Sequence, residues 1–344
     1  MISHGPHRTA PAANYRDPER FQAERRRIFA ATWQFIGHER ELAATGDVIA
    51  ANIAGYPVLA VRTPEGLKAF HNVCRHRAGP LFDGDKGNCG QSLTCKYHGW
   101  VYTLDGRLRN ARDFGAAQSF DARDFSLLPV RIESWRGFVF VNLNEGARPL
   151  AAHLDPLETR LSERDLSALV PAGRKTHDIA CNWKIYAENY LEGYHIPPVH
   201  PGLDAEIESA KYQVTVEGDV CFHSAPLRDA AANAVYDGLW AFVSPNLGVN
   251  IYGHGLMMER MMPIGHDRTR LIYDYFLKPE IAADAAEVAR IMAMSATVTA
   301  EDKWICEKVQ ENIDAGIYDT GVLSPRHEEG VAWFQRTTGA ISAF

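Results

Sequence analysis

The sequence has no long apolar run and no cluster of basic residues. Because no stretch of about 18 apolar residues occurs, we expect no membrane-spanning helix. The net charge is −7, and the lack of a basic stripe argues against a nucleic-acid partner. The N-terminus also lacks a charged start followed by an apolar stretch, so we expect no secretory signal and a cytoplasmic protein.

Cysteine is scarce as well. Six cysteines in 344 residues are too few for a disulfide scaffold. Cys74 and Cys95 stand out because a histidine follows each of them at close spacing. The remaining four have no such neighbours, and we expect buried thiols at Cys89, Cys181, Cys221 and Cys306.

The overall composition is typical of a globular protein, with 46% apolar and 23% charged residues. Short apolar segments in the first half predict an all-β domain. Strands followed by a long helix, without strand–helix–strand alternation, predict an α+β second half with an antiparallel sheet. We expect an N-terminal helical segment (1–34) packing on the second domain, an all-β domain (35–148) and an α+β domain (149–344).

Turn residues and apolar segments predict the individual elements. Helices are expected from Asp17-Pro18, over Ala151–Leu161, from Asn182 to His195, and from about Ala282 to Ala315. The predicted strands are Asp47–Ile53, Pro57–Arg62, Leu67–Val73, Trp100–Leu104, Leu127–Ile132, Gly137–Leu143, Lys211–Glu217, Leu239–Ile251, Leu256–Pro263 and Arg270–Leu277.

The helix that begins at Asn182 carries polar residues on one face. Asn189, Glu192 and His195 follow steps of three, so they share that face of a helix. Two prolines after His195 should end the helix, which would let the chain turn and bring His200 back. Two imidazoles beside a carboxylate indicate a metal site. Asn189 can hydrogen-bond near the metal or serve as a packing amide.

Asp302 lies in the apolar stripe of the C-terminal helix, and a lone carboxylate there is costly to bury. It can bond a donor in the core, or it can join His195 and His200 as a third metal ligand. Two histidines and one carboxylate hold mononuclear Fe(II) with open positions. The neighbouring Glu301 should point off the stripe. The stripe consists of Ile291, Met294, Val298, Asp302, Ile305 and Val309.

A second constellation lies in the all-β domain. Cys74 and His76 form one half, Cys95 and His98 form the other, and eighteen residues separate the two halves. Two cysteines and two histidines can bind structural zinc or a 2Fe-2S cluster of the Rieske type. Zinc fingers usually pair cysteine with cysteine and histidine with histidine, whereas each half here mixes them. The mixed spacing favours the Rieske cluster.

These two segments, CRHRAG and CKYHGW, resemble the signature of Rieske non-haem iron oxygenases. The family often has proline where this chain has Lys96, and the insert between the halves is slightly longer than usual. With the second constellation, the similarity extends over nearly the whole chain and points to the catalytic α subunit. The resemblance implies an N-terminal Rieske domain and a C-terminal helix-grip domain that holds mononuclear Fe(II).

The resemblance also implies partners and electron flow. It implies a ring of three identical subunits in which the cluster of one subunit faces the iron of the next. A carboxylate three residues before the first iron histidine would bridge the two centres, and here that residue is Glu192. Electrons derived from NAD(P)H would come from a separate reductase, directly or through a ferredoxin, and O2 would be activated at the iron.

Glutamate at the bridging position resembles the branch that acts on carnitine, betaines and choline. The segments NWK, ENY, VHPGL and EDKWICEKVQENI resemble that branch too. We therefore expect hydroxylation or oxidative demethylation of a small organic substrate. The alternatives are aromatic-ring hydroxylation or O-demethylation, and a Rieske electron carrier without oxygenase activity.

Aromatic and polar residues near the predicted iron site are candidates for the substrate pocket, although such side chains often pack in cores. If several surround the iron, they can hold a trimethylammonium group by cation–π attraction. A flat apolar slot would instead favour an aromatic substrate. The candidates are Tyr186, Tyr190, Tyr212, Trp240, Phe242, Asn250, Tyr252 and Met258.

Overall fold

The computed structural model describes residues 7–115, 119–228 and 234–342. The chain divides into two compact units, one formed by Phe29–Ala151 and the other by Met1–Ile28 together with Ala152–Phe344. The sequence analysis placed the domain boundaries between residues 34 and 35 and between residues 148 and 149. Among the described helices, none has the length and apolar character that crossing a lipid bilayer requires.

The unit Phe29–Ala151 is built from antiparallel strands in two sheets. The larger sheet has seven strands in the order β1-β10-β9-β4-β3-β2-β5, and the smaller sheet has the order β6-β7-β8. The strands are β1 (Gln34–His38), β2 (Asp47–Ile53), β3 (Tyr56–Thr63), β4 (Gly66–His71), β5 (Lys86–Asn88), β6 (Leu93–Thr94), β7 (Val101–Tyr102), β8 (Leu108–Asn110), β9 (Pro129–Trp135) and β10 (Phe138–Asn142).

The other unit contains one seven-stranded antiparallel sheet, in the order β11-β17-β16-β15-β14-β13-β12, and most of the helices. The strands are β11 (Val170–Ile179), β12 (Gln213–Glu217), β13 (Val220–Ser224), β14 (Tyr236–Val243), β15 (Leu247–Tyr252), β16 (Gly255–Pro263) and β17 (Thr269–Leu277). The helices of the chain are α1 (Ala13–Arg16), α2 (Pro18–Glu24), α3 (Leu150–Arg160), α4 (Trp183–Tyr190), α5 (Ile196–Val199), α6 (Pro201–Glu206), α7 (Pro279–Ala282), α8 (Ala285–Asp314) and α9 (Glu329–Ser342).

The predicted α+β class, with an all-β first domain and an antiparallel sheet plus a long helix in the second, is confirmed. Several details differ. The segment 239–251 forms two strands, because the chain turns at Ser244-Pro245. The sequence analysis missed the strands β1, β5, β6, β8, β11 and β13 and the helices α1, α5, α6, α7 and α9. Strand β11 gives a weak signal because half of its residues are polar and nine of the ten are exposed or only partly buried.

The prediction of one helix up to His195 was wrong. Asn182 caps α4 by accepting from the backbone N–H of Lys184, as expected for an N-cap residue, but the helix ends at Tyr190. Gly193 lies in the break, where a Cβ would come 2.5 Å from the Tyr212 ring, so only glycine fits. The prolines do not terminate a helix, since they lie inside the separate turn α5.

Helix α8 packs against α4 and strand β11 and turns a partly polar face inward. Ser295 hydrogen-bonds the Tyr252 hydroxyl at 3.0 Å, and Thr299 hydrogen-bonds the Tyr273 hydroxyl at 2.9 Å. Because each of these buried hydroxyls has a partner, the desolvation of the helix face is compensated. Asp302 lies on the same buried face, so α8 delivers a carboxylate to the interior.

A carboxyl group near the N-terminal helices provides a test of this packing. Glu188, on α4, accepts hydrogen bonds from the Tyr15 hydroxyl at 2.8 and 3.0 Å. Burial raises the pKa of Glu188 to about 7. Because the folded state holds this proton more tightly than the unfolded chain, the contribution to stability is full below the unfolded pKa and is lost as the pH rises towards 7.

We predict that Glu188→Gln, which stays neutral at every pH, stabilises the protein by about 1–2 kcal/mol at about pH 8 and has little effect at about pH 5. Urea unfolding midpoints at the two pH values measure this. Glu311→Gln, at an exposed carboxylate of α8, is the control and should show no such pH dependence. An equal shift for Glu188→Gln at both pH values would contradict the prediction.

Candidate metal centres and the adjoining cavity

Three potential metal ligands converge inside the second unit. The Nε2 atoms of His195 and His200 lie 3.1 Å apart, and Asp302 Oδ1 lies 3.0 Å from His200 Nε2 and 3.7 Å from His195 Nε2. Helix α8 supplies the carboxylate, and the chain around α5 supplies both histidines. Among the described residues, three or more such ligand atoms converge within 4.8 Å only at this point.

Each imidazole also contacts a further carboxylate through its other ring nitrogen. His195 Nδ1 lies 2.5 Å from Glu192 Oε1, and His200 Nδ1 lies 2.7 Å from Glu301 Oε2. An Nδ1–H that donates to a carboxylate leaves the Nε2 lone pair pointing at the centre. Both lone pairs therefore face each other and Asp302.

This donor set fits a divalent cation. Two imidazole lone pairs and a carboxylate oxygen repel one another at these distances unless positive charge lies between them. Burial disfavours a charged His200, but hydrogen bonds to Asp302 and Glu301 outweigh it and raise the pKa of His200. The surroundings thus draw positive charge to this point. Two histidines and one carboxylate are the donor set of mononuclear non-haem Fe(II).

Asn189 and Glu192 lie next to this centre, although they are not in one helical row. The Asn189 side-chain amide donates to Asp302 Oδ1 at 2.6 Å, which orients the carboxylate. Glu192 is positioned by the turn after α4, where its Oε2 accepts from the backbone N–H groups of Tyr194 and His195. The Glu192 carboxylate is thereby fixed against the His195 ring.

Glu301 is a functional residue that the sequence analysis missed. We expected its side chain to point away from the site because it is off the apolar stripe. It nevertheless reaches His200, which lies to the side of α8. A signal was available, since His200 needs a partner for its second nitrogen and Glu301 is adjacent to Asp302.

A cavity of about 70 Å³ adjoins the three donors. Five of the eight predicted pocket residues line it: Tyr186, Tyr190, Tyr212, Trp240 and Asn250. The lining also includes residues that the sequence analysis did not single out, among them Tyr236, Met257, Glu259 and Tyr273.

The structure places the other three predicted pocket residues outside this lining. Met258 alternates with Met257 along β16, so it points to the opposite face of the sheet. Phe242 shares the face of Trp240 but packs edge-on against Phe334 of α9. Tyr252 is buried beneath α8, where its hydroxyl bonds Ser295.

The first unit holds the two cysteine–histidine segments on loops with the same backbone pattern. Cys74 N–H donates to the carbonyl of Gly79, and Ala78 N–H donates back to Cys74. Cys95 N–H likewise donates to Trp100, and Gly99 N–H donates back to Cys95. The fourth residue after each cysteine has positive φ, 56° at Ala78 and 71° at Gly99.

The side chains that these two loops present to each other fit a 2Fe-2S cluster. His76 Nδ1 is buried and has no hydrogen-bond partner among the described residues, as expected of a nitrogen that binds a metal. The rings of His76 and His98 lie 4.5 Å apart, and a Cβ at Gly79 would come 2.8 Å from Cys95 Sγ. The four ligand atoms do not converge on one point, whereas tetrahedral zinc requires that.

Comparison with known proteins agrees with both centres. Residues 166–341 match the ring hydroxylating alpha subunit (catalytic domain) family, and residues 32–121 match the Rieske 2Fe-2S domain. The chain therefore belongs to the Rieske oxygenases and is an oxidoreductase. It combines a Rieske cluster domain with a catalytic domain of the mononuclear non-haem iron type, as the sequence predicted. The match to a catalytic domain removes support for the electron-carrier alternative.

Individual relatives cover most of the chain. Choline monooxygenase of Arabidopsis thaliana, a chloroplastic enzyme, is 30% identical over 93% of this chain and 80% of its own length. The oxygenase subunit of carnitine monooxygenase from Escherichia coli K12 is 30% identical over 90% of this chain and 85% of its own length. The solved structure of a quaternary ammonium Rieske monooxygenase, described for carnitine oxidation and inter-subunit electron transfer, has 26% identity and a TM-score of 0.90, covering 98% and 96% of the two chains.

We predict that Asp302→Ala removes the mononuclear iron and leaves the cluster. Iron content should fall from about three to about two atoms per chain, because the two remaining histidines are a poor ligand set. The cluster absorbance, and its bleaching by dithionite, should persist. Glu311→Ala, on the exposed part of α8, should keep full iron content. Unchanged iron content in Asp302→Ala would show that Asp302 is not a ligand.

Proposed function

We propose that this chain is the terminal oxygenase that oxidises a small quaternary ammonium compound by hydroxylation or oxidative N-demethylation. The observation that carries the proposal is the aromatic-walled cavity directly beside His195, His200 and Asp302. The likeness to choline and carnitine monooxygenases supports it.

The aromatic wall has the composition that binds methylated ammonium groups. Trp240 stacks on Tyr212 with ring centroids 6.1 Å apart and lies 5.5 Å from Tyr236. Tyrosine and tryptophan rings attract a cation to their faces, and the attraction grows when the cation is desolvated. All three rings line the cavity together with Tyr190.

The cavity volume favours a compact substrate. At about 70 Å³ it is far smaller than the roughly 300–1,000 Å³ of sites for drug-sized ligands. A trimethylammonium group on a short chain suits such a space better than a fused aromatic ring system. The aromatic-substrate alternative therefore has no specific support in the cavity.

We assign the metal ligands as the sequence predicted. His195, His200 and Asp302 would hold Fe(II), while Cys74 and Cys95 would bind one iron of the cluster and His76 and His98 the other. Bound Fe(II) would activate O2, so that one oxygen atom enters a substrate C–H bond and the other leaves as water, with two electrons derived from NAD(P)H and two protons. Around it, Glu301 and Asn189 orient the ligands, and the aromatic wall binds the substrate and excludes water.

Glu192 is the proposed bridge for electrons between two subunits. Its carboxylate already contacts His195 Nδ1, and we propose that it also contacts a cluster histidine, His76 or His98, of a neighbouring copy in a homotrimer. Electrons would reach that cluster from a reductase, with or without a ferredoxin. The likeness to an enzyme described for inter-subunit electron transfer supports this arrangement. A cytoplasmic location stays a prediction from the sequence.

We predict that Glu192→Gln slows electron entry without removing either metal. In a single turnover with pre-reduced protein, oxidation of the mononuclear iron should be normal while re-reduction by the cluster slows by about tenfold or more. Glu301→Gln is the matched control, because it changes the carboxylate behind the other histidine and should not slow this step. Equal slowing in both variants would mean that Glu192 only orients its ligand.

A substrate screen tests the function itself. At least one of choline, carnitine and glycine betaine should stimulate NADH-dependent oxygen uptake with a surrogate reductase, whereas aromatic acids should not. Formaldehyde release would identify N-demethylation, and its absence with consumed substrate would identify hydroxylation at another carbon. The Asp302→Ala variant controls for uncoupled oxygen uptake. Stimulation by an aromatic acid and by no ammonium compound would refute the proposal.

A further inference from the structure

One carboxylate in the cavity has no cationic partner among the described residues. Glu259 lies on β16, is 3% exposed and lines the cavity. The Asn250 amide donates to its Oε2 at 3.2 Å, but its Oε1 has no hydrogen-bond partner among the described residues. A buried carboxylate oxygen without a donor is costly, so the site that contains Glu259 is incomplete by itself.

Two other buried carboxylates of this unit are each neutralised by a cation. Asp274, on the neighbouring strand, pairs with Arg174 at 2.6 Å and with Arg260 at 2.7 Å. Glu24 pairs with Lys184 at 2.6 Å. No Lys or Arg lies within 4.0 Å of the Glu259 carboxylate in the described part of the chain. The cavity is therefore the place from which a positive charge can reach it.

Apart from the proposed Fe(II), which Asp302 would help to hold, the charges around the cavity come from carboxylates. Its described lining contains the carboxylates of Glu192, Glu259 and Asp302 but neither lysine nor arginine. A substrate carboxylate would thus find no basic side chain to pair with there. It would also lie close to Glu259, because the cavity is small.

We propose that Glu259 is the counter-ion of the substrate's ammonium group, and that the enzyme consequently selects a net cation, such as a quaternary amino alcohol, over a zwitterion that carries its own carboxylate. This inference rests on the proposed function. The relatives do not distinguish a cationic from a zwitterionic substrate. A choline monooxygenase and a carnitine monooxygenase are each 30% identical to this chain, and choline is a net cation whereas carnitine is a zwitterion.

The groups that face Glu259 agree with this role. They are the carboxylate of Asp302 and the hydroxyls of six tyrosines, namely Tyr186, Tyr190, Tyr236, Tyr252, Tyr273 and Tyr275. Burial raises the pKa of Glu259 to about 7, and the nearby Tyr186 and Tyr273 hydroxyls and the Asn250 amide offset this only in part. The phenols are neutral, because burial raises their pKa values further above 10. A bound ammonium group would therefore meet formal negative charge at Glu259 and ring faces elsewhere.

Equilibrium binding to the enzyme loaded with both metals tests the proposal, at about pH 8, above the pKa of Glu259. The probes are choline, its neutral isostere with a tert-butyl group in place of trimethylammonium, and glycine betaine. Wild type should bind choline at least about tenfold more tightly than either of the others. Glu259→Gln should weaken choline binding by about tenfold and leave the isostere within about twofold.

Glu188→Gln is the matched control, because Glu188 also has a pKa raised to about 7 but does not line this cavity. It should keep the wild-type preference for choline over the isostere. Unchanged choline preference in a folded Glu259→Gln variant, or tighter binding of glycine betaine than of choline by wild type, would overturn the inference. In either case, continued oxidation of an ammonium compound would leave the proposed function intact.

The wild-type comparison does not depend on the variant folding. If Glu259→Gln does not fold, the ranking of the three probes by wild type alone still decides between a net cation and a zwitterion. If wild type neither binds nor oxidises any ammonium compound, both the inference and the proposed function fail.

Discussion

Two imidazoles can face a carboxylate at about hydrogen-bond distance here because each ring is anchored by another carboxylate behind it. Glu192 holds His195, and Glu301 holds His200. These contacts fix which nitrogen carries the proton, and so they fix the direction of both lone pairs. This constraint determines the local path of the chain. Helix α4 must end at Tyr190, because only then can the Glu192 side chain contact both the backbone of the following turn and the His195 ring.

The sheet and α8 provide the frame for that arrangement. Strand alternation sends Glu259 and Met257 towards the cavity and Arg260 towards Asp274 on the other face. Polar side chains of α8 satisfy tyrosine hydroxyls that would otherwise be buried without partners. The cavity can therefore be lined by polar aromatic residues at little cost in unsatisfied hydrogen bonds. Glu259 Oε1 differs, because it is buried and has no hydrogen-bond partner among the described residues.

Local sequence signals predicted much of the fold. Strand β2 lies at the predicted residues, and Asp17 caps α2 as expected from the Asp-Pro pair. The convergence of His195, His200 and Asp302 was also foreseen, because a carboxylate in an apolar stripe needs a partner. The break that removes Glu192 from the predicted helical row was not foreseen. Periodicity assumes that the helix continues, and it carries no information on the contact between Gly193 and Tyr212. The roles of Glu301 and Glu259 were not predicted, because they depend on contacts between segments that are distant in the sequence.

The two cysteine loops of the first unit repeat one hydrogen-bond frame, closed by residues of positive φ. Every bond of that frame joins backbone to backbone and involves neither thiol nor imidazole. The loop shape is therefore encoded independently of the four side chains that it presents. Such loops are preorganised, because their backbone geometry is held without hydrogen bonds from the ligand side chains.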